Sequence, residues 1–203
     1  SFASKGIRRL FKPVIDLLSG IPPVIYGVWG TITIVPFIAN NIAPHFSGQS
    51  SGYSVLAGGI VLAVMIIPLL VGLFIEIFNS VPGEMTDASL SLGATKLQTV
   101  NRVILRRSFP GIVAVTVLAL SRAFGETMAV LMVCGNSTIM PRSLLDAGYP
   151  LPALIANNYG EMLSIAGYES ALMLAAFLLF IIVFLFNGLS RLTLNRIEKR
   201  YHF

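Results

Sequence analysis

Charged residues are scarce in this sequence. Only 11% of its 203 residues are Asp, Glu, Lys or Arg, whereas 55% are hydrophobic and the mean hydropathy is +0.82. An average soluble domain carries about 25% charged residues. Because so few polar side chains cannot cover a globule of this size, the composition disfavours a water-soluble fold and predicts one domain solvated by lipid.

Cysteine and histidine are also rare, which excludes two kinds of site. Cys134 is the only cysteine, so it can form no disulfide within the chain and lacks the second ligand of a metal site. His45 and His202 have no second ligand at the spacing of metal sites. A Walker sequence is missing, because the glycine pair at 58–59 is followed by Ile-Val and not by Lys-Ser/Thr. We therefore expect no metal, no cofactor and no ATP hydrolysis by this chain itself.

Four hydrophobic segments have about the 20 residues that a transmembrane helix needs. They predict spans at about 21–39, 54–78, 111–134 and 171–189. An amphipathic pattern over 2–18 is typical of a helix that lies in the membrane interface. Because the chain starts at Ser1 without the features of a signal peptide, we interpret this start as a truncated or processed end.

The 14 Lys and Arg residues are distributed unevenly around these spans. Four precede the first span, four lie between the second and third, and four follow the last. The other two connections contain only Arg142, and Arg122 lies within a span. Basic residues are usually retained on the cytoplasmic side. We therefore predict that both ends and the 81–109 loop are cytoplasmic, and that the basic excess reflects topology and not nucleic-acid binding.

The cytoplasmic loop carries the signals of two short helices joined by a turn. Apolar residues recur on one face between 85 and 92, and Gly93 stands where a left-handed residue would end a helix. Thr95 and Gln98 form the pattern of a capping box for the second helix. A DNA-binding helix-turn-helix looks similar, but about 30 residues tethered to two spans could hardly enter a major groove. Docking on a cytoplasmic protein is the better interpretation.

Arg122 and Glu126 place two charges inside the predicted third span. They lie four residues apart, which puts them on one face of a continuous helix. At about 1.5 Å per residue from Gly111, Arg122 would be roughly 16 Å deep, near the bilayer centre. A charge there costs at least about 2.5–3.5 kcal/mol, so it usually faces a polar pathway or a partner.

Several interpretations of this pair stay open. The two side chains could simply neutralise each other within the bundle. Alternatively, Arg122 could bind phosphate oxygens in a two-pronged arrangement, while Glu126 tempers its charge or accepts a hydrogen bond from a protonated phosphate oxygen, which sulfate lacks. A proton-coupled secondary carrier could use Glu126 as its protonation site, and a membrane scaffold would not transport at all.

Two sets of residues resemble known permeases. Part of the loop is similar to the Glu-Ala-Ala…Gly…Ile-x-Leu-Pro signature of ABC importer permeases. It reads Asp87-Ala88-Ser89, three residues, Gly93, nine residues, Val103, one residue, Leu105. Asp87 stands in place of Glu, Val103 in place of Ile and Arg106 in place of Pro. The stretches 21–30, 91–95 and 121–136 resemble the C-type permease subunit of bacterial phosphate ABC importers.

The resemblance implies a fold and two functional sites. The fold would be all-α and polytopic, a helical bundle like the type I ABC importer permeases, with about four transmembrane helices and a cytoplasmic coupling helix. Asp87, Ala88 and Gly93 would contact the ATPase. Arg122 and Glu126 would line the substrate pathway for inorganic phosphate, with sulfate, molybdate or phosphonate as alternative oxyanions.

The resemblance also implies partners and a location. These are a cytoplasmic ATPase dimer that binds and hydrolyses ATP, a second permease subunit of the A type, and an extracytoplasmic phosphate-binding protein. The outer connection 135–170 is expected to form a short helix against the bundle and to help receive that protein. The membrane would be the bacterial inner membrane. The family pattern has two further spans before the region that matches residue 1.

Overall fold

The computed structural model describes residues 13–15, 17–46, 51–160, 165 and 167–201, and in the last helix it leaves out the side chains at 189, 190 and 193–201. Within these residues the backbone is mainly helical, and the only β-pairing is an isolated bridge between Gly135 and Gly148. The all-α fold class is therefore confirmed.

Seven helices are named here in chain order. They are α1 Pro23–Phe46, α2 Val55–Asn79, α3 Gly83–Ser91, α4 Lys96–Phe124, α5 Met128–Val133, α6 Leu151–Asn158 and α7 Tyr168–Tyr201. Four of them, α1, α2, α4 and α7, contain segments long and apolar enough to cross a membrane. In the predicted interfacial helix 2–18, residues 13–15 and 17–18 are helical, and the others lie outside the described residues.

The spans differ from the predicted ones mainly at their ends. The first continues to Phe46 and not to 39, and the last is part of a helix that runs to Tyr201 and not to 189. The predicted third span, 111–134, is wrong as a single helix. Its helix starts much earlier, at Lys96, because the capping box at Thr95 initiates it, and it stops at Phe124. The second short helix expected in the loop is thus the first turns of α4.

Two π-helical turns, Gly30–Ile34 and Ile38–Ile42, let α1 run through its prolines. Pro36 and Pro44 each follow one of these turns by two residues. Proline donates no backbone hydrogen bond, and its ring crowds the carbonyl four residues earlier. A wider turn just before the proline relieves that crowding without ending the helix.

Tight packing is found where α5 meets α1 and α2. Val61 of α2 and Val133 of α5 are fully buried there. A Cβ atom on Gly30 would lie 2.5 Å from Val61 Cγ2 and 3.0 Å from Val133 Cγ1. The Thr31 hydroxyl donates a hydrogen bond of 3.2 Å to the Met132 carbonyl. α4 packs on the other side, against α2 and α7, so its end lies beside this junction.

Candidate functional site

The helix is interrupted between the two charges of the predicted third span. α4 ends at Phe124, the Gly125 N–H donates to the Arg122 carbonyl at 3.2 Å, and α5 begins only at Met128. Arg122 is therefore in the last turn of one helix, and Glu126 precedes the next. The prediction that both lie on one face of a continuous helix is wrong, because the chain leaves helical geometry at Gly125.

The Glu126 carboxylate caps the start of α5. Its Oε1 atom accepts hydrogen bonds from the backbone N–H groups of Met128 at 3.1 Å and Ala129 at 3.3 Å. The first N–H groups of any helix have no partner inside it, and an acceptor side chain commonly satisfies them. The negative charge is also favourable at a helix N-terminus.

Arg122 is exposed, and its guanidinium makes no hydrogen bond or ion pair with any other described residue. A positive charge in the last turn of a helix is favourable because the carbonyl end carries partial negative charge. Each charge thus has its own helix end as an electrostatic partner. Mutual neutralisation of Arg122 and Glu126 is not seen in the part of the chain that the structure describes.

The end of α4 is held against α7 on either side of Arg122. The Ser121 hydroxyl donates to Asn187 Oδ1 at 2.8 Å, and the rings of Phe124 and Phe186 lie 4.5 Å apart between centroids. Sequence reasoning missed Asn187. The available signal was its position, since it is the first polar residue after the uninterrupted apolar run 172–186.

A cavity of about 360 Å³ lies between α2, α4, α5, α6 and α7. Its wall is mostly apolar and includes Leu62, Val130 and Leu179. Among the residues that the structure describes, Glu126 is the only charged one that lines it, and Arg122 is not part of the wall. The break therefore brings the two predicted pathway residues to different surroundings, with Glu126 against an apolar cavity and Arg122 on the surface of this chain.

The 81–109 loop folds as a helix, a turn and the start of α4. Gly93 has a φ of +82°, the left-handed conformation expected of it, directly after α3 and its C-cap. Thr95 and Gln98 form the predicted capping box, with bonds of 2.9 and 3.3 Å. The sharp turn at Gly93 is therefore confirmed. The predicted contact residues Asp87 and Ala88 are both exposed on α3.

The turn is stabilised by a hydrogen bond on its inner side and exposes apolar side chains on its outer side. The hydroxyls of Ser89 and Thr99 lie 3.0 Å apart, and Thr99 is fully buried, which ties α3 to the first turn of α4. On the outside, Leu92 is 89% exposed and Leu97 is 71% exposed. Apolar side chains that flank a rigid turn are suited to a protein partner.

The connection 135–170 has defined structure over its described residues before 161. The short helix expected there is confirmed as α6, which packs against α5 and α7. The loop before it is tied to the start of α2, because the Val55 N–H donates to the Asp146 carbonyl at 3.0 Å and the Leu56 N–H to the Leu144 carbonyl at 2.8 Å.

Comparison with known proteins gives consistent matches along the chain. The family model described as "Binding-protein-dependent transport system inner membrane component" matches residues 2–201. The phosphate transport system permease protein PstC of Xylella fastidiosa (strain 9a5c) is 36% identical over 98% of this chain and 65% of its own length. The probable ABC transporter permease protein YqgH of Bacillus subtilis is 37% identical over 93% of this chain and 60% of its own length. The chain therefore spans less than two thirds of these relatives.

A solved structure has the same fold. An inward-facing form of the MetNI methionine ABC transporter superposes with a TM-score of 0.70 and 21% identity, over 97% of this chain and 78% of the other. At this identity the likeness concerns the helical arrangement alone. Because the family model covers nearly the whole sequence, this chain belongs to the family of binding-protein-dependent transport system inner membrane components.

Proposed function

We propose that this chain is the membrane-spanning permease subunit of an ATP-driven ABC importer and moves inorganic phosphate across the bacterial cytoplasmic membrane by alternating access. Relatives that are 33–36% identical are named phosphate transport system permease proteins. The observation that carries the proposal is a single helix, α4, which connects the turn at Gly93 to Arg122.

α4 is suited to transmit motion. It has 29 residues, which at about 1.5 Å per residue make it roughly 43 Å long. The helix contains a π-helical turn at Val100–Ile104 and an internal proline, Pro110, but its backbone stays helical throughout. A displacement of the turn at one end is therefore passed along a continuous helix to the guanidinium at the other end, which is the physical link that coupling between two sites requires.

Arg122 supplies the contact with the anion. A guanidinium stays charged and offers two parallel donors to phosphate oxygens. The side chain is exposed and unpaired among the described residues, so its donors are available to an anion. In the complete transporter this surface faces the second permease subunit, and the anion path lies between the two.

The remaining partners follow from the two ends of the bundle. A cytoplasmic ATPase dimer docks at Asp87, Ala88 and Gly93, with the exposed Leu92 and Leu97 at the margin of the contact. That dimer binds and hydrolyses the ATP, and this chain is not itself an enzyme. An extracytoplasmic phosphate-binding protein delivers the anion to the opposite side. Both ends of the chain lie in the cytoplasm.

The direct test is phosphate uptake by ATP-loaded membrane vesicles that contain the complete transporter. Arg122→Gln should reduce the uptake rate about 10- to 100-fold, because hydrogen bonds to a charged group are worth about 1.5–3 kcal/mol. Arg191→Gln is the matched control, since Arg191 is exposed on α7 and lies outside both proposed sites, and it should leave uptake near the wild-type rate. Unchanged uptake in Arg122→Gln would contradict a pathway role and favour a scaffold.

The same vesicles distinguish the alternatives. Uptake that persists without ATP and collapses with the proton gradient would identify a secondary carrier. Stronger competition by unlabelled sulfate, molybdate or phosphonate than by phosphate would identify a permease for another oxyanion.

A further inference from the structure

The interruption between α4 and α5 needs a physical cause, and Gly125 alone does not supply one. Glycine permits a chain to leave a helix, but it does not start the next helix. α5 has only six residues, whereas isolated helices shorter than about 12–15 residues are marginal in water. The start of α5 must therefore be stabilised by something outside its own backbone hydrogen bonds.

We propose that Glu126 is a positioning residue whose carboxylate fixes the break between α4 and α5 by capping α5, which leaves Arg122 unpaired and free to bind the anion. This inference deepens the proposed function. In this role the Glu126 carboxylate binds backbone N–H groups of α5, whereas in a counter-charge role it would pair with the Arg122 guanidinium.

The hydrogen bonds at the break favour this assignment. Oε1 of Glu126 accepts from both Met128 and Ala129, whereas Thr127, the residue at the N-cap position, makes no capping bond. The Thr127 hydroxyl instead donates to the Gly125 carbonyl at 3.3 Å. Glu126 is therefore the only side chain seen to satisfy N–H groups at the start of α5, among the described residues.

The apolar surroundings of Glu126 strengthen these hydrogen bonds. The carboxylate lines an otherwise uncharged, mainly apolar cavity. Hydrogen bonds to an ionised acceptor are about twice as strong as neutral ones, and they strengthen further where the local dielectric is low. Without the two N–H donors the charge would be uncompensated, which is costly in apolar surroundings.

The far end of α5 provides a built-in reporter. Cys134 directly follows α5, is only 4% exposed, and is the sole cysteine of this chain. Its Sγ atom lies against Gly58 of α2, where a Cβ atom would overlap it. The thiol also borders the cavity beside Glu126 but is almost fully covered. A reagent must therefore displace the side chains packed around this end of α5 before it reacts, so the labelling rate reports how often this end of the helix opens.

The experiment measures maleimide labelling of Cys134 in the complete transporter in native membranes. Glu126→Ala should label about 5- to 30-fold faster than wild type, because loss of a helix cap costs about 1–2 kcal/mol. Glu126→Gln should label clearly more slowly than Glu126→Ala and only moderately faster than wild type, because the amide oxygen accepts the same bonds without the charge. Cys134→Ser gives the background from any other thiol.

Two further variants separate capping from charge pairing. Arg122→Gln and Thr127→Ala should both leave the labelling rate unchanged, since neither side chain caps α5. The double variant Glu126→Ala/Thr127→Asp moves an acceptor to the N-cap position and should restore slow labelling, or restore membrane insertion if Glu126→Ala alone fails to insert.

Three results would overturn the inference. These are wild-type labelling in Glu126→Ala, labelling of Glu126→Gln as fast as that of Glu126→Ala, and acceleration by Arg122→Gln equal to that of Glu126→Ala. Phosphate uptake by the same variants keeps the two proposals apart. Loss of uptake in Arg122→Gln together with wild-type labelling in Glu126→Ala would support the transport role of Arg122 and overturn capping by Glu126. Normal uptake in Arg122→Gln together with fast labelling in Glu126→Ala would support capping and contradict the anion path.

Discussion

The absence of a side chain at Gly30 lets α1 approach α2 and α5 closely. The side chains that a Cβ atom there would meet, Val61 and Val133, are fully buried and branched at Cβ, so they cannot easily move aside. The contact depends on the missing side chain and not on an unusual backbone conformation. At this position the sequence determines how near three helices can approach.

A methyl group at this position should destabilise the bundle. We expect Gly30→Ala to lower the thermal unfolding midpoint in detergent, because overpacking typically costs about 1–3 kcal/mol. Gly59→Ala is the control, since nothing lies within 4 Å of a Cβ atom there, and it should leave the midpoint unchanged or raise it. The double variant Gly30→Ala/Val61→Ala should recover part of the loss, and no recovery would argue against this clash.

The turn between α3 and α4 is the element on which the proposed coupling depends. Gly93 needs its positive φ for the turn, yet a Cβ atom there would meet nothing within 4 Å. Substitution at this position therefore affects the backbone without disturbing any packing. Because the proposed ATPase contact includes Gly93, two variants of similar size but different backbone preference are needed to separate the geometry of the turn from added bulk at the contact.

We expect Gly93→Val to block phosphate uptake while the chain still inserts into the membrane. A left-handed residue costs an L-amino acid roughly 1–2 kcal/mol, and a β-branched side chain is especially unfavourable there. Gly93→Asn should retain most uptake, because Asn tolerates this conformation. Gly83→Val, at a nearby glycine with negative φ and open space, controls for bulk. Normal uptake by Gly93→Val would remove the turn from the mechanism.

At the scale of the whole molecule, this chain covers little of its own apolar surface. The shares of the four spans buried within the chain are 28%, 17%, 17% and 11%. The remaining apolar surface must contact lipid or other helices, because apolar patches of this size are unfavourable in water. A bundle with so few internal contacts is consistent with a subunit that is completed by further helices.

The predicted orientation can be checked by labelling single cysteines from outside the cell. In a Cys134→Ser background, Thr138→Cys at an exposed position of the outer loop should react with a membrane-impermeant maleimide in intact cells. Ser91→Cys at the end of α3 should react only after permeabilisation, because the neighbouring basic residues, which include Lys96 and Arg102, favour the cytoplasmic side. The opposite pattern would invert the topology and place the turn away from any ATPase.

Most of the architecture could be predicted from hydrophobic runs and local signals. The four spans follow from segment length, and the turn at Gly93 with its capping box follows from residue types that have strong local preferences. The predicted ends of the spans were less accurate. α1 continues past Ala39 and α7 past Leu189, because helices extend through polar segments that hydropathy assigns to loops.

The amino-acid sequence by itself determined that this chain is a helical membrane protein, that a sharp turn lies at Gly93, and that Arg122 and Glu126 are the charges within its third apolar segment. Only the tertiary structure decided how those charges are used. Their spacing of four predicts a shared face only if the helix continues, and at Gly125 it does not. The carboxylate is held by α5 and the guanidinium has no partner among the described residues, since helix ends compete with side chains for the same charges.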